Sequence, residues 1–289
     1  MRWCGMTAGF QDVAGGGRGI NAVDAVILAD VGNSRIKLAR LDAGAAAEGT
    51  GLSAVTHRQD LDSHAFRPEN LERWLATAAP GPAVILVASV YEGAAARLEA
   101  AVAEISATRH RPIRQRRIRH ADLPLEVSLP EPERVGIDRL AGAAAACRVR
   151  PPGAACVLID CGTAATVDLV TAEGVFLGGA ILPGPVLMAR ALAEGTSRLP
   201  ALAALERTPP PAMPGRSTES AIAAGIGFGI RGAIARLEAE GRGVLGDSTV
   251  TILTGGWRAA VRDAVTDPIE VPDLVLAGIA LAAIRACAR

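Results

Sequence analysis

Lysine is nearly absent from this chain of 289 residues, since Lys37 is the only lysine among 30 basic residues. Acidic residues also number 30, so the formal net charge is zero. Without an excess of either sign, no overall electric field draws the molecule to nucleic acid or to a membrane. One local basic run, Arg109–His120, has no interleaved phenylalanine, tyrosine or tryptophan. We interpret it as a solvated edge strand, and a nucleic-acid patch is the less favoured alternative.

Patterns of metal-binding and disulfide-forming residues are also missing. The five cysteines are scattered without a CxxC pair, which argues against a structural zinc site and against a secreted disulfide framework. The four histidines have no metal-ligand spacing, and they lie outside the motifs described below.

Long uncharged apolar runs are absent as well. The run Pro272–Arg289 comes closest to a membrane span, but Arg285 interrupts it, and a core helix beginning after Pro272 is the favoured interpretation. Residues 1–22 lack the apolar segment of a signal peptide and are predicted to form a flexible extension. We therefore expect a cytoplasmic protein without membrane partners.

An internal similarity organises the rest of the chain. Val26–Arg40 and Val157–Thr171 share one pattern, in which an apolar strand ends in Asp-x-Gly and a second apolar strand follows. Asp30 aligns with Asp160 across half the chain length. The repeat predicts two related α/β lobes, each opening with a β-hairpin. A Pro/Gly break at Pro151–Ala155 places the lobes at residues 23–150 and 151–289.

The two Asp-x-Gly turns suggest phosphate chemistry. Glycine lets backbone N–H groups approach a phosphate, and a carboxylate at a strand end can hold Mg²⁺. A single Asp-Gly turn is more often an ordinary β-hairpin turn without a binding role, but two matched turns make that explanation weak. Lys37 lies seven residues after Asp30 and offers a compact charge for a phosphate oxygen. The alternative is that the single lysine of the chain stands at this position by chance.

Two further segments point to the same chemistry. Asp138 and Arg139 stand at the predicted start of a helix, where Asp138 can accept a proton from a substrate hydroxyl and Arg139 can bind a carboxylate. A helix cap with a solvated arginine is the structural alternative. Thr251–Gly256 reads as a strand entering a Gly-Gly turn, which is suited to a nucleotide.

Taken together, these motifs resemble the type III pantothenate kinases, of the superfamily that contains acetate and sugar kinases, heat-shock chaperones and actin. The similarity runs from about residue 25 to about residue 282 and rests on the order and spacing of DVGNSRIK, GIDR, DCGTAATVD, FLGGAILPG, STESAIAAG and TILTGG. It implies two actin-like (ribonuclease H-like) α/β lobes with the active site in the cleft between them.

The resemblance also implies roles for individual residues. ATP would be bound by Asp30, Val31, Gly32, Asn33, Ser34, Arg35, Ile36, Lys37 and Thr163, with Mg²⁺ at Asp30. Pantothenate would be bound by Gly136, Ile137, Asp138, Arg139 and Thr218, with Asp138 as the general base. Asp160 would hold a monovalent cation, K⁺ or NH₄⁺. The product would be 4′-phosphopantothenate, on the way to coenzyme A, and the enzyme would be a homodimer.

Three positions depart from the family pattern. Leu129 stands where tyrosine is frequent, Ser34 where threonine is usual, and Ser217 where asparagine is common. Two alternatives follow: a kinase of another polyol or sugar in the superfamily, and a regulatory protein that has lost catalysis. Retention of Asp30, Lys37, Asp138 and Asp160 argues against the second.

Overall fold

The computed structural model describes residues 25–42, 55–202 and 212–287, so the predicted extension at residues 1–22 lies outside the described residues. The part of the chain that the structure describes divides into two compact units. The first unit contains the chain through Leu125, Pro130–Val149 and the residues from Leu274 onward. The second unit contains Glu126–Leu129 and Arg150–Asp273.

The first unit is built on a five-stranded sheet in the order β3-β2-β1-β4-β5. Strands β1 to β3 form an antiparallel meander, and β4 and β5 continue the sheet parallel to β1. The strands are β1 Ala25–Val31, β2 Arg35–Leu41, β3 Val55–Asp62, β4 Ala83–Ser89 and β5 Ile113–Arg117.

The second unit repeats this arrangement in the order β11-β10-β7-β8-β9-β6. Strands β7 to β9 are the antiparallel meander, and β10 and β11 are parallel to β7. The strands are β6 Glu126–Val127, β7 Ala155–Cys161, β8 Ala164–Val170, β9 Val175–Pro183, β10 Thr249–Gly255 and β11 Ile269–Glu270. The shared topology confirms the prediction of two related α/β lobes.

Helices cover the sheet of the first unit. Helices α1 (Pro68–Ala78) and α2 (Glu92–Thr108) bury their apolar stripes in one core cluster with strand side chains such as Ile27, Ile36 and Ile85. Helices α3 (Ile137–Val149) and α6 (Leu274–Cys287) pack on each other and contact β1 and β4.

The position of α6 corrects the predicted lobe boundaries. Residues 151–289 were expected to form one C-terminal lobe, but α6 lies in the first unit. Nearly every side chain from Leu274 to Ala283 is buried there. The predicted core helix after Pro272 is therefore confirmed, and its apolar surface is buried in the first unit because α3 and β1 provide the surfaces on which it packs.

Helix α5 (Thr218–Leu245) follows α4 (Pro185–Gly195) in the second unit and packs on β7 and β8. Its buried stripe includes Ile222, Ile226, Ile230 and Ile234, which follow one another at the four-residue spacing of a helix face. Among the described helices, α5 alone is long and apolar enough to cross a membrane, a test that core helices of soluble proteins also pass. It carries a buried Glu238, which accepts hydrogen bonds from Thr251 and Arg242.

The predicted edge strand in the basic run is β5, which pairs with β4 in the described sheet. The arginines of this run are engaged within the first unit. Arg117 forms ion pairs with Glu92 and Glu99, at 2.7 and 2.6 Å. Arg116 pairs with Asp122 at 2.5 Å. These contacts give the run a structural role and weaken its interpretation as a nucleic-acid patch.

Candidate functional site

The first Asp-x-Gly turn joins β1 to β2 in a tight hairpin. The Gly32 N–H donates to the Arg35 carbonyl at 3.0 Å, and the side chains at the tip, Asn33 to Arg35, are exposed. Asp30 and Lys37 face each other directly across the two strands. Their side chains form an ion pair, with 3.5 Å between Lys37 Nζ and Asp30 Oδ2.

Ionising the Asp30 carboxylate costs free energy in the folded protein because the group is buried. Its burial raises its pKa, Lys37 lowers it, and the charge of Asp138 raises it again, with a net result above the ordinary value. The charge of Asp138 therefore acts on Asp30, and both residues lie in the first unit. Two carboxylates beside one lysine attract a further cation, which relieves the cost of ionising Asp30.

These residues fit a magnesium ion bound jointly with a nucleotide. Among the described residues, no group of three or more His, Cys, Asp or Glu side chains could hold a metal alone. Mg²⁺ does not need one, because it is commonly held by one or two carboxylates together with substrate phosphates and water. Asp30 is the predicted ligand, and Asp138 is the second carboxylate near it.

Asp138 lies in the first turn of α3, as the sequence predicted. Its Oδ1 accepts a hydrogen bond from the Arg139 N–H at 2.8 Å, so the carboxylate is held at the helix start. The site also requires Gly136, because a Cβ there would lie 2.5 Å from Asp138 Oδ1 and 3.5 Å from Val90 Cγ1. The carboxylate thus occupies space that only glycine leaves open.

The second Asp-x-Gly turn, after β7, lies in the second unit. The Gly162 N–H donates to the Ala164 carbonyl at 3.1 Å, and the Gly184 N–H donates to the Thr163 carbonyl at 3.0 Å. Asp160 faces Thr166 across the hairpin, where the first hairpin has Lys37. Burial raises the pKa of the Cys161 thiol, and the adjacent charge of Asp160 raises it further.

The Gly-Gly turn after β10 packs on this second hairpin. Gly255 has a φ of +94°, and a Cβ there would overlap the backbone of Cys161. The Trp257 indole N–H donates to the Gly162 carbonyl at 2.7 Å. The segments predicted separately, Asp160–Thr163 and Thr251–Gly256, therefore lie side by side in the second unit.

The predicted residues are distributed over both units. Asp30, Lys37, Gly136, Asp138 and Arg139 lie in the first unit, whereas Asp160, Thr163 and Thr218 lie in the second. Thr218 is the exposed first residue of α5, which Ser217 caps through a hydrogen bond from the Ser220 N–H at 3.2 Å. Ser63, which no sequence motif marks, also belongs to this region, because its hydroxyl donates to the first hairpin from 31 residues away.

Two sheets of the same topology, each with an Asp-x-Gly hairpin after the first strand of its antiparallel meander, define a two-lobed α/β protein. A solved structure from Campylobacter jejuni, named as a candidate Baf family transcriptional activator, shares the fold with a TM-score of 0.52. It is 19% identical, and the alignment covers 87% of this chain and 94% of that one.

Sequence comparisons identify the family within this class. The family model of type III pantothenate kinase matches residues 26–240. A type III pantothenate kinase of Alkalilimnicola ehrlichii is 35% identical over 88% of this chain and 96% of its own length. One of Rhodopirellula baltica is 40% identical over 66% of this chain and 68% of its own length. The chain belongs to the type III pantothenate kinase family, a family of kinase enzymes.

Proposed function

We propose that this chain transfers the γ-phosphoryl group of ATP to the primary alcohol of pantothenate, giving ADP and 4′-phosphopantothenate for coenzyme A synthesis in the cytoplasm. The observation that carries the proposal is the cluster of Asp30, Lys37 and Asp138 in a member of this family. This cluster supports a role for Asp138 as the general base, with Lys37 and Asp30 acting on the phosphate groups and their cation.

Within this proposal, the first hairpin from Asp30 to Lys37 binds the ATP phosphates, and Asp30 would hold Mg²⁺, which would supply positive charge to the phosphates. Lys37 supplies a fixed positive charge beside Asp30. Gly136 to Arg139 bind pantothenate. In the second unit, Thr163 contacts ATP and Asp160 holds K⁺ or NH₄⁺.

Asp138 performs the proton transfer. Its carboxylate is fixed by the Arg139 N–H, so it can orient the pantothenate hydroxyl and accept its proton as the oxygen attacks the γ-phosphorus. The other residues contribute mainly positioning and charge neutralisation, which are the main sources of catalysis in phosphoryl transfer.

The test is ADP release from ATP and Mg²⁺, with and without pantothenate, in K⁺ and again in Na⁺. We expect turnover that depends on pantothenate and is greater in K⁺. Asp138→Asn should lower turnover by about 10²–10⁴-fold while nucleotide binding persists. Full turnover in the Asn variant would exclude Asp138 as the base.

Another acceptor alcohol is the second candidate, because Leu129 replaces a frequent tyrosine. Leu129 lies against Gly178, with 3.4 Å between its Cδ2 and a Cβ built at that glycine. An apolar side chain there cannot donate a hydrogen bond to the substrate. A panel of polyols and sugars assayed beside pantothenate separates the two candidates, and pantothenate should give the highest kcat/KM.

We also propose that the enzyme is a homodimer joined through α5. Gly225, Gly229 and Gly232 have exposed positions with nothing within 4 Å of a built Cβ, so no part of the chain that the structure describes packs closely on them. Phe228 lies among them with 46% of its surface exposed. Small residues beside an exposed aromatic ring suit close approach of a second helix.

Light scattering of the eluting protein should give twice the chain mass. Gly229→Arg should shift it toward the monomer, whereas Gly81→Arg, at another open glycine in the first unit, should not. A monomeric parent protein would refute the dimer without bearing on phosphoryl transfer.

A further inference from the structure

Ser63, the residue after β3, is buried against the first phosphate hairpin with a relative exposure of 0%. Its hydroxyl donates to the Gly32 carbonyl at 2.7 Å. Its backbone N–H donates to the Ser34 carbonyl at 3.1 Å. One residue therefore holds the hairpin on both sides of Asn33.

A second layer of contacts holds Ser63 itself. The Arg97 guanidinium donates to the Ser63 carbonyl. Arg97 also lies over the Tyr91 ring, 5.8 Å from its centroid, and this ring stands 5.4 Å from that of His64. We call Ser63, Arg97 and Tyr91 the Ser63 clamp.

The turn that presents Ser63 is fixed by its neighbour Asp62. The Asp62 carboxylate accepts hydrogen bonds from the backbone N–H groups of His64 and Ala65, at 2.7 and 2.9 Å. These bonds lower the pKa of Asp62, so the carboxylate stays ionised and the turn stays closed through the neutral range.

The two anchored carbonyls determine where the hairpin's donors point. In a planar trans peptide, the C=O and the following N–H point in opposite directions. Anchoring the Gly32 carbonyl on Ser63 therefore aims the Asn33 N–H away from Ser63. Anchoring the Ser34 carbonyl does the same for the Arg35 N–H. Both carbonyl oxygens, which would repel a phosphate, are turned toward Ser63.

From this geometry we infer that Ser63 is a positioning residue for ATP, which orients the N–H groups of the first hairpin toward the nucleotide phosphates. The inference rests on the proposed function of the hairpin. Ser63 acts through the backbone of Gly32 and Ser34 and needs no contact with substrate.

The test compares Ser63→Ala with Ser106→Ala. The Ser106 hydroxyl also bonds backbone in the first unit, donating to the Arg111 carbonyl at 2.6 Å and accepting from the Ile113 N–H at 3.2 Å. Both variants should lose similar thermal stability. Ser63→Ala alone should raise the KM for ATP, by about tenfold. Its KM for pantothenate should stay within about twofold, since the hydroxyl bonds only the hairpin.

Calorimetric titration with ADP and Mg²⁺ separates this inference from the proposed reaction. Weaker ADP binding in Ser63→Ala than in Ser106→Ala supports the positioning role even if pantothenate is not the acceptor. Equal ADP affinity in the two variants would overturn it. If Ser63→Ala does not fold, Arg97→Lys replaces it. This substitution alters the contact to the Ser63 carbonyl and leaves Lys37 and the first hairpin unchanged. Unchanged ADP affinity in Arg97→Lys would likewise overturn the inference.

Discussion

At the scale of single residues, the candidate site depends on a few charged groups that shift the pKa of Asp30 in opposite directions. Asp30 is buried, lies beside Lys37 and is influenced by the charge of Asp138. Its raised pKa means that the folded protein holds a proton on Asp30 more tightly than the unfolded chain does. Stability from this group is therefore full below the unfolded pKa and is lost as the pH rises through the folded pKa.

Asp30→Asn should thus separate stability from activity. Without nucleotide or metal, we expect the variant to be at least as stable as the parent at pH 8, because it lacks the ionised buried carboxylate. This advantage should shrink as the pH falls and Asp30 of the parent becomes protonated. Turnover should fall by about 10²-fold or more, because the charge beside the phosphates is lost. Thermal unfolding between pH 4 and pH 8 measures the first effect.

Asp60→Asn is the matched control, because Asp60 faces Lys37 from β3 with 55% of its side chain exposed. It changes the net charge equally but leaves the buried Asp30 carboxylate in place, so the pH dependence of unfolding that Asp30 causes should persist. A constant stability loss in Asp30→Asn at every pH would contradict the assignment of burial as the dominant effect.

Asp30, Lys37 and Asp138 could be predicted as site residues because a local pattern marks each of them. These patterns are the repeated Asp-x-Gly turn, the lone lysine and the start of a helix. It did not reach Ser63. The role of Ser63 depends on the carbonyls of a hairpin 31 residues upstream, and a serine after a strand gives no sign of such a partner. Long-range hydrogen bonds to backbone leave no pattern in the sequence.

At the scale of elements, the start of α3 is built around one glycine. A Cβ at position 136 would meet Asp138 Oδ1 at 2.5 Å, well inside normal contact. Gly136→Ala should therefore rotate the carboxylate away from its place and lower kcat by about tenfold to a hundredfold. The stability loss should be about 1 kcal/mol or less, because the displaced atom ends a side chain that can move.

Gly81→Ala provides the control, since a Cβ there meets nothing within 4 Å. Steady-state kinetics and thermal unfolding of both variants check the prediction. Unchanged kcat in Gly136→Ala would show that Asp138 tolerates displacement, and it would count against a tightly positioned base.

At the scale of the whole molecule, the two sheets repeat one topology, and the last helix returns to the first. The repeat was predictable because both hairpins carry the same apolar and Asp-x-Gly pattern. The packing of α6 in the first unit could not be predicted in this way. An apolar segment indicates that a helix will be buried, but it does not indicate which sheet the helix will pack against. The Pro/Gly break near residue 151 marked only one of the four crossings of the chain between the units.

The packing of α6 on α3 gives a test of this closure. Gly278 of α6 lies so close to α3 that a Cβ would overlap the Ala141 carbonyl, and backbone cannot move aside cheaply. Gly278→Ala should cost about 1–3 kcal/mol through overpacking, despite the better helix propensity of alanine. Gly243→Ala, in the open part of α5, should instead stabilise the protein by about 0.5–1 kcal/mol. Chemical unfolding of both variants measures the difference. If α6 merely rested on the surface of the first unit, both substitutions would change the free energy of unfolding in the same direction. Opposite signs would show that α6 completes the core of the first unit.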